Sequence, residues 1–254
     1  MLRLRQICLV ARELGPAVSD LEAVFGIATC HHDPAVEKYG LVNALLPVGN
    51  NFLEVVAPFR ENTAAGRYLD RRQGDGGYMV ILQCDDIADR MGRCEALGVR
   101  VINHMQYGNY DGLQLHPRDT GGAILETSCT AGNGAPDGPW HPAGTEWQDA
   151  VRTDRITAIT GAELQSDDPA GLAARWGEIL AVKPVTDGKG TPLLPLENAM
   201  LRFVPATDGR GEGLGGLDIA VADRLALTAV AEKRGYVIKD DIVTVCGTRF
   251  KLIG

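Results

Sequence analysis

One order of segments recurs along this chain: an apolar strand, a helix closed by glycine, then further strands. Residues 4–12 read as a strand, followed by a helix from about Pro16 through Val18, Leu21, Val24 and Phe25, with Gly26 at its end. Residues 39–47 and 51–58 read as two strands joined by Val48-Gly49-Asn50. The order returns with a strand at 78–84, Asp85-Asp86 capping a helix over 87–97, Gly98 as its stop, and strands at 99–102, 113–116 and 123–126. A third round has a strand at 156–164, a helix opened by Asp168-Pro169, and a strand at 199–205. A fourth has a strand at 217–221, a helix after Asp223 ended by Gly235, and strands at 242–245 and 249–253. Met79 precedes Gly98 by 19 residues, and Gly216 precedes Gly235 by 19. Four units of about 50 residues are too few and too mixed for a solenoid, so paired sheets curling around a cavity are the expected solution. Between the pairs, residues 131–144 are rich in Gly and Pro and read as a linker that Trp140 and Trp147 pin to a surface.

Charge and composition exclude several classes. The net charge of −8 comes without a basic stripe, which argues against a nucleic-acid partner and predicts repulsion from anionic membranes. No apolar run approaches the ~18 residues of a spanning helix, and no long apolar stretch follows Met1–Arg5. The six cysteines form no C-x-x-C pair, and Cys8 and Cys84 sit inside apolar runs. A reduced, cytoplasmic thiol set is expected.

The stretch from His116 to Glu126 carries the chemistry. A polar turn with Gly121 and Gly122 leads into the short run Ala123-Ile124-Leu125, which delivers Glu126. That carboxylate is either solvated past a sheet edge or aimed into a cavity. Glu54 lies between Leu53 and Val55, so alternation puts it on the face opposite both. His116, made extended by Pro117, is a candidate acid or base near neutral pH, or else a hydrogen-bonded turn residue. His104 is a weaker candidate, and Tyr107 and Tyr110 are candidates for a pocket mouth. His31-His32 beside Asp33 invites a metal reading, but adjacent strand residues point to opposite faces. Arg60, Arg67, Arg71 and Arg72 read as a solvated helix face.

Glu54-Val-Val-Ala-Pro, Met79-Val-Ile-Leu-Gln-Cys-Asp-Asp-Ile and the run from His116 to Glu126 together resemble the vicinal oxygen chelate superfamily. Its members include glyoxalase I, methylmalonyl-CoA epimerase, extradiol dioxygenases and bleomycin-resistance proteins. Over residues 4–128 the likeness is to methylmalonyl-CoA epimerase; over 155–254 it extends to the module grammar only. The resemblance implies an α+β fold of four βαβββ modules in two pairs, each pair a curled mixed sheet around a cavity. The division would be residues 1–130 with the site, a linker over 131–152, and a degenerate pair over 153–254. It also implies metal-ligand places on the first and fourth strands of each module, held here by Gln6, Glu54, Met79 and Glu126. Met79 stands where a His is expected, which leaves Gln6, Glu54 and Glu126 to hold a divalent ion such as Mg, Mn, Fe or Ni. Where the epimerase keeps a base glutamate, this sequence has Asn43, and an amide cannot take that proton. In the second half the four places hold Gly161, Arg202, Gly216 and Lys251, none of them a metal ligand.

The resulting expectation is a lyase or isomerase of the glyoxalase/epimerase kind, chelating a small carbonyl or carboxylate substrate, with Glu54, Glu126 and His116 as candidate catalytic residues. The alternatives are a metal-free small-molecule binding protein of the bleomycin-resistance kind and an extradiol-type dioxygenase. The latter requires two His and a Glu on iron, which the matched positions do not supply. Monomer and homodimer both stay open.

Overall fold

The computed structural model describes residues 1–254. Its elements are β1 (Leu2–Val10), α1 (Leu14–Phe25), β2 (Leu41–Val48), β3 (Asn51–Pro58), α2 (Ala64–Arg72), β4 (Gly76–Cys84), α3 (Ile87–Ala96), β5 (Val101–Tyr107), β6 (Tyr110–Leu115), α4 (Pro117–Thr120) and β7 (Ile124–Thr130). There follow β8 (Ile156–Ser166), α5 (Pro169–Leu180), β9 (Val185–Thr186), β10 (Pro192–Pro195), β11 (Met200–Pro205), β12 (Gly213–Val221), α6 (Arg224–Lys233), β13 (Ile242–Val245) and β14 (Thr248–Ile253). The fold is α+β, with two seven-stranded mixed sheets of order β2-β3-β1-β4-β7-β6-β5 and β13-β14-β12-β8-β11-β10-β9.

Each module closes the same way. Its last strand returns parallel to its first: β3 to β1, β7 to β4, β11 to β8 and β14 to β12. Parallel neighbours require a crossover, and α1, α3, α5 and α6 supply one each. Aspartates start three of these helices: Asp86 accepts from the Ala88 and Asp89 amides, Asp168 from Gly171, and Asp223 from Ala226. Gly26 ends α1 in the left-handed region, where a Cβ would be penalised. The inner modules have four strands. The first has three, its remaining strand reduced to the single bridge between His31 and Leu45.

Several boundaries differ from the sequence reading. α1 begins at Leu14, two residues before Pro16, because proline within a first turn has no needed N–H to lose. β5 is longer than residues 99–102 and β6 starts at Tyr110, since β5 is a largely exposed edge strand without an apolar signature. The turn before Glu126 contains a helical turn, α4, with Pro117 at its first position. Arg72 is buried rather than solvated, at 3% exposure, whereas Arg60 and Arg67 donate to nearby backbone carbonyls at the surface.

Close contacts group the chain into two compact units. The first holds Met1–Arg5, Tyr78–His141 and Gly161–Gly215; the second holds Gln6–Gly77, Pro142–Thr160 and Gly216–Gly254. In the first, Trp176 of α5 is fully buried, meets Phe203 edge-on at 6.1 Å, and donates to the Gly121 carbonyl. Glu212 accepts from the Gly122 amide and the Ser166 hydroxyl. In the second, α1 buries Ala17, Leu21, Val24 and Phe25, and the Phe25 ring lies 4.5 Å from Phe250. Asp20 on the same helix takes Arg234 as an ion pair and the Tyr236 hydroxyl at 2.6 Å. All six cysteines are free thiols. No helix is long and apolar enough to cross a membrane.

Candidate functional site

The strand registers place the candidate residues at equivalent positions. Gln6 pairs with Phe52, and Glu54 lies two residues beyond that partner; Met79 pairs with Ile124, and Glu126 lies two beyond. Gly161 pairs with Met200, two before Arg202, and Gly216 pairs with Arg249, two before Lys251. Residues two apart on a strand share a face, so each pair of places faces the same side of its module. In the second sheet the places carry no carboxylate. Arg202 is instead paired with Glu163 at 3.0 Å, and Lys251 is exposed.

In the second unit, Gln6 and Glu54 come together. The Gln6 Nε2 donates to Glu54 Oε2 at 2.9 Å, and Asn43 Nδ2 donates to Glu54 Oε1 at 2.7 Å. Asn43 is fixed in turn, because its Oδ1 accepts from the Asp33 amide at 2.9 Å. His32 hydrogen-bonds the Asn43 carbonyl through Nδ1, and Asp33 caps the short 3₁₀ turn Pro34–Tyr39. His32 and Asp33 thus serve backbone order, and His31 forms an isolated bridge with Leu45. Glu54 is 7% exposed, with an amide donor on each oxygen.

In the first unit, Glu126 has its own cluster. Ser128 Oγ donates to Oε1 at 2.7 Å, Tyr110 to the same oxygen at 3.1 Å, and Gln114 Nε2 to Oε2 at 2.9 Å. The Tyr110 hydroxyl also lies 3.0 Å from Ser128 Oγ, so its one proton is shared between that oxygen and Glu126. Burial, at 3% exposure, pushes the Glu126 carboxyl above the usual carboxylate range, against the opposing pull of the Ser128, Gln114 and Tyr110 hydrogen bonds. Hydroxyls can accept as well as donate, so this cluster satisfies the carboxyl in either protonation state. A side chain at Gly112 would put its Cβ 2.7 Å from Ser128 Oγ, so glycine there leaves the hydroxyl its place beside Glu126.

His116 does not join the cluster. It caps α4, with Nδ1 accepting from the Arg118 amide at 3.1 Å. His104 pairs with Asp111 at 2.7 Å, on a partly exposed edge. Met79 is buried at 8% exposure. Tyr107 stacks on His141 with ring centroids 4.9 Å apart, and Tyr110 meets Trp140 edge-on at 5.4 Å. Gln114 and Ser128 escaped the sequence reading. The signal was present as alternation: Leu113 and Leu115 point into the core, which turns Gln114 the other way, and Ser128 is two residues from Glu126.

No group of three His, Cys, Asp or Glu side chains converges anywhere. Each of the two clusters holds one carboxylate, and its oxygens already accept from neutral N–H or O–H donors, which a cation would have to displace. As arranged, neither set fits a resident divalent ion.

Comparison with known proteins agrees with this architecture. Residues 7–180 match the sequence profile of the glyoxalase-like domain, and the chain belongs to that family, within the vicinal oxygen chelate superfamily. Its fold is shared with a Mn(II)-bound glyoxalase from Novosphingobium aromaticivorans, at 12% identity and TM-score 0.67 over 99% of this chain and 82% of that one. A hypothetical protein from Staphylococcus aureus matches at 12% identity and TM-score 0.65, over 100% and 99% of the two chains. Streptomyces coelicolor methylmalonyl-CoA epimerase in complex with 2-nitronate-propionyl-CoA matches at 23% identity and TM-score 0.46, over 51% of this chain and 97% of that one. No curated protein sequence matches the chain.

Proposed function

We propose that this protein is an enzyme of the glyoxalase/epimerase kind, a lyase or isomerase, acting on a small compound that bears a carbonyl or carboxylate. The observation that carries the reading is Glu126: a buried carboxyl held by three neutral donors and pushed toward its protonated form. A carboxyl that burial pushes toward its protonated form can offer that proton to a substrate oxygen as charge develops there. The Tyr110 and Ser128 hydroxyls, in line at 3.0 and 2.7 Å, would orient Glu126 and follow its change of charge. Glu54, held by Gln6 and Asn43, is the second carboxylate of the proposal, and His116 the reserve acid or base. Six free thiols fit a reducing, cytoplasmic setting.

A second reading, a metal-free protein that sequesters such a compound, is favoured by Asn43, which holds Glu54 by an amide where a base would stand. The two separate on one variant. Proton exchange next to the carbonyl of small ketones and 2-oxo acids is followed by NMR in deuterated buffer, beside equilibrium binding of the same compounds. For an enzyme, Glu126→Gln should cut exchange by about 100-fold or more with affinity little changed. Exchange no faster than buffer in the native protein, with binding intact, would establish the sequestering reading. Elemental analysis is run alongside: one equivalent of metal, lost in a Glu54→Ala, Glu126→Ala variant, would overturn the proton-based account.

A further inference from the structure

The stretch from Asn133 to His141 has the composition of a linker but packs as a strap, and it grips two buried arginines of β1. Arg3 donates to the carbonyls of Gly134 and Ala135 and, at 3.0 and 2.7 Å, to Gln83 Oε1. Arg5 donates to the carbonyls of Pro136 and, at 2.9 Å, Gly138. The charge of Asp137, also on the strap, acts favourably on both guanidiniums, while Glu197 and Asp85 act on Arg3 alone. Arg3 is 4% exposed and Arg5 1%, and burial brings the Arg5 guanidinium down to about 9. The stack continues inward. Arg5 lies 5.5 Å from the centre of the Trp140 ring, Trp140 is fully buried against Tyr110, and Tyr110 hydrogen-bonds Glu126.

Two buried cations are a costly way to anchor a loop, since well-packed apolar side chains would hold it as firmly. Their oxygen neighbours, a run of carbonyls with one carboxylate nearby, are what an anionic ligand would present to a pair of guanidiniums. The strap has no regular secondary structure between Ala131 and Trp140, and most of its residues outside Gly138 and Trp140 are exposed. We propose that Arg3 and Arg5 form an anion-binding site that the strap fills with its own carbonyls and Asp137, and that a carboxylate or phosphoryl group of a ligand displaces it. Displacement also uncovers Tyr110 and Glu126; this last clause alone rests on the function proposed above.

The test uses the whole protein and two probes, malonate and inorganic phosphate, each titrated against chloride at matched ionic strength. Tryptophan fluorescence is the readout, and Trp140→Phe identifies the share that comes from the strap. Saturable binding of malonate alone assigns a carboxylate site, and of phosphate alone a phosphoryl site. Asp137→Asn, at an exposed position, should tighten binding about fivefold by weakening the competing strap. Arg3→Gln and Arg5→Met should weaken it about tenfold or more. Should Arg5→Met not fold, as judged by thermal melting, Arg3→Gln and the gain in Asp137→Asn decide. The proposal fails if neither native protein nor Asp137→Asn shows a saturable response, or if both arginine variants bind as the native protein does. Glu126→Gln should leave anion binding within about twofold, so loss of the Glu126 reading and loss of the arginine site are told apart.

Discussion

Glu126 ties stability to pH in a direction opposite to that of an ordinary ion-paired carboxylate. Burial raises its folded value, so there is a window above the usual carboxylate range where the unfolded chain has released this proton and the folded chain has not. Within that window the folded state binds more protons, and stability falls as pH rises through the raised value. Glu126→Gln removes the titration while keeping shape and hydrogen-bonding capacity. Urea unfolding of the two proteins from pH 4.5 to 8.5 should show the native protein losing stability relative to the variant as pH rises. A difference of constant size across the range would mean that Glu126 is ionised throughout. The same residue shows what alternation can and cannot reveal. Its place on a strand was legible from the apolar run before it, while the run left open whether it faced solvent or a cavity. Its protonation bias was not legible, because that comes from burial by the folded chain, set against hydrogen bonds from Ser128 on its own strand and from Gln114 and Tyr110 on β6.

Among the elements, the β13–β14 hairpin is the one whose position depends most on a single backbone conformation. Gly247 sits at φ +62°, and a Cβ there would lie 1.8 Å from the Asp75 carbonyl oxygen. Gly235, after α6, has φ +84° but open space around it. Gly235→Ala therefore tests conformation alone and should cost about 1–2 kcal/mol. Gly247→Ala adds a backbone collision that no side-chain motion relieves, and should cost about 3 kcal/mol or more. Chemical denaturation of both variants checks the difference; equal losses would mean the hairpin tip moves freely away from Asp75. Helix ends were the most legible feature of the sequence, since Asp86, Asp168, Asp223 and Gly26 act through local geometry. The edge strands β5 and β9 were the least, because a strand paired on one side needs little apolar pattern to form, and β10 beside β9 is only four residues long. The strap was half legible: Trp140 and Trp147 showed that it was pinned, but nothing local announced Arg3 and Arg5 as the pins.

For the whole molecule, the four-fold repeat was readable because each module keeps the same register, down to the two-residue offset that relates Gln6 to Glu54 and Met79 to Glu126. The pairing of consecutive modules into one sheet each was readable too, but which segments pack into each compact unit was not, since periodicity says nothing about partners distant in sequence. The second unit joins Gln6–Gly77 to Gly216–Gly254, and α1 loses Phe250, Arg234 and Tyr236 if the latter is missing. A fragment of residues 1–152 should thus show no cooperative thermal transition by circular dichroism, and adding residues 153–254 in trans should restore one. A sharp transition in the isolated fragment would show that its first module stands without those partners. The same interleaving bears on how the chain is made. A ribosome that has finished Gly77 must add roughly 180 residues before the partner segment is complete, on the order of ten seconds at ordinary elongation rates. Through that interval the apolar face of α1 is without its last neighbours, which makes the nascent chain a natural client for chaperones that shield exposed hydrophobic helices during translation.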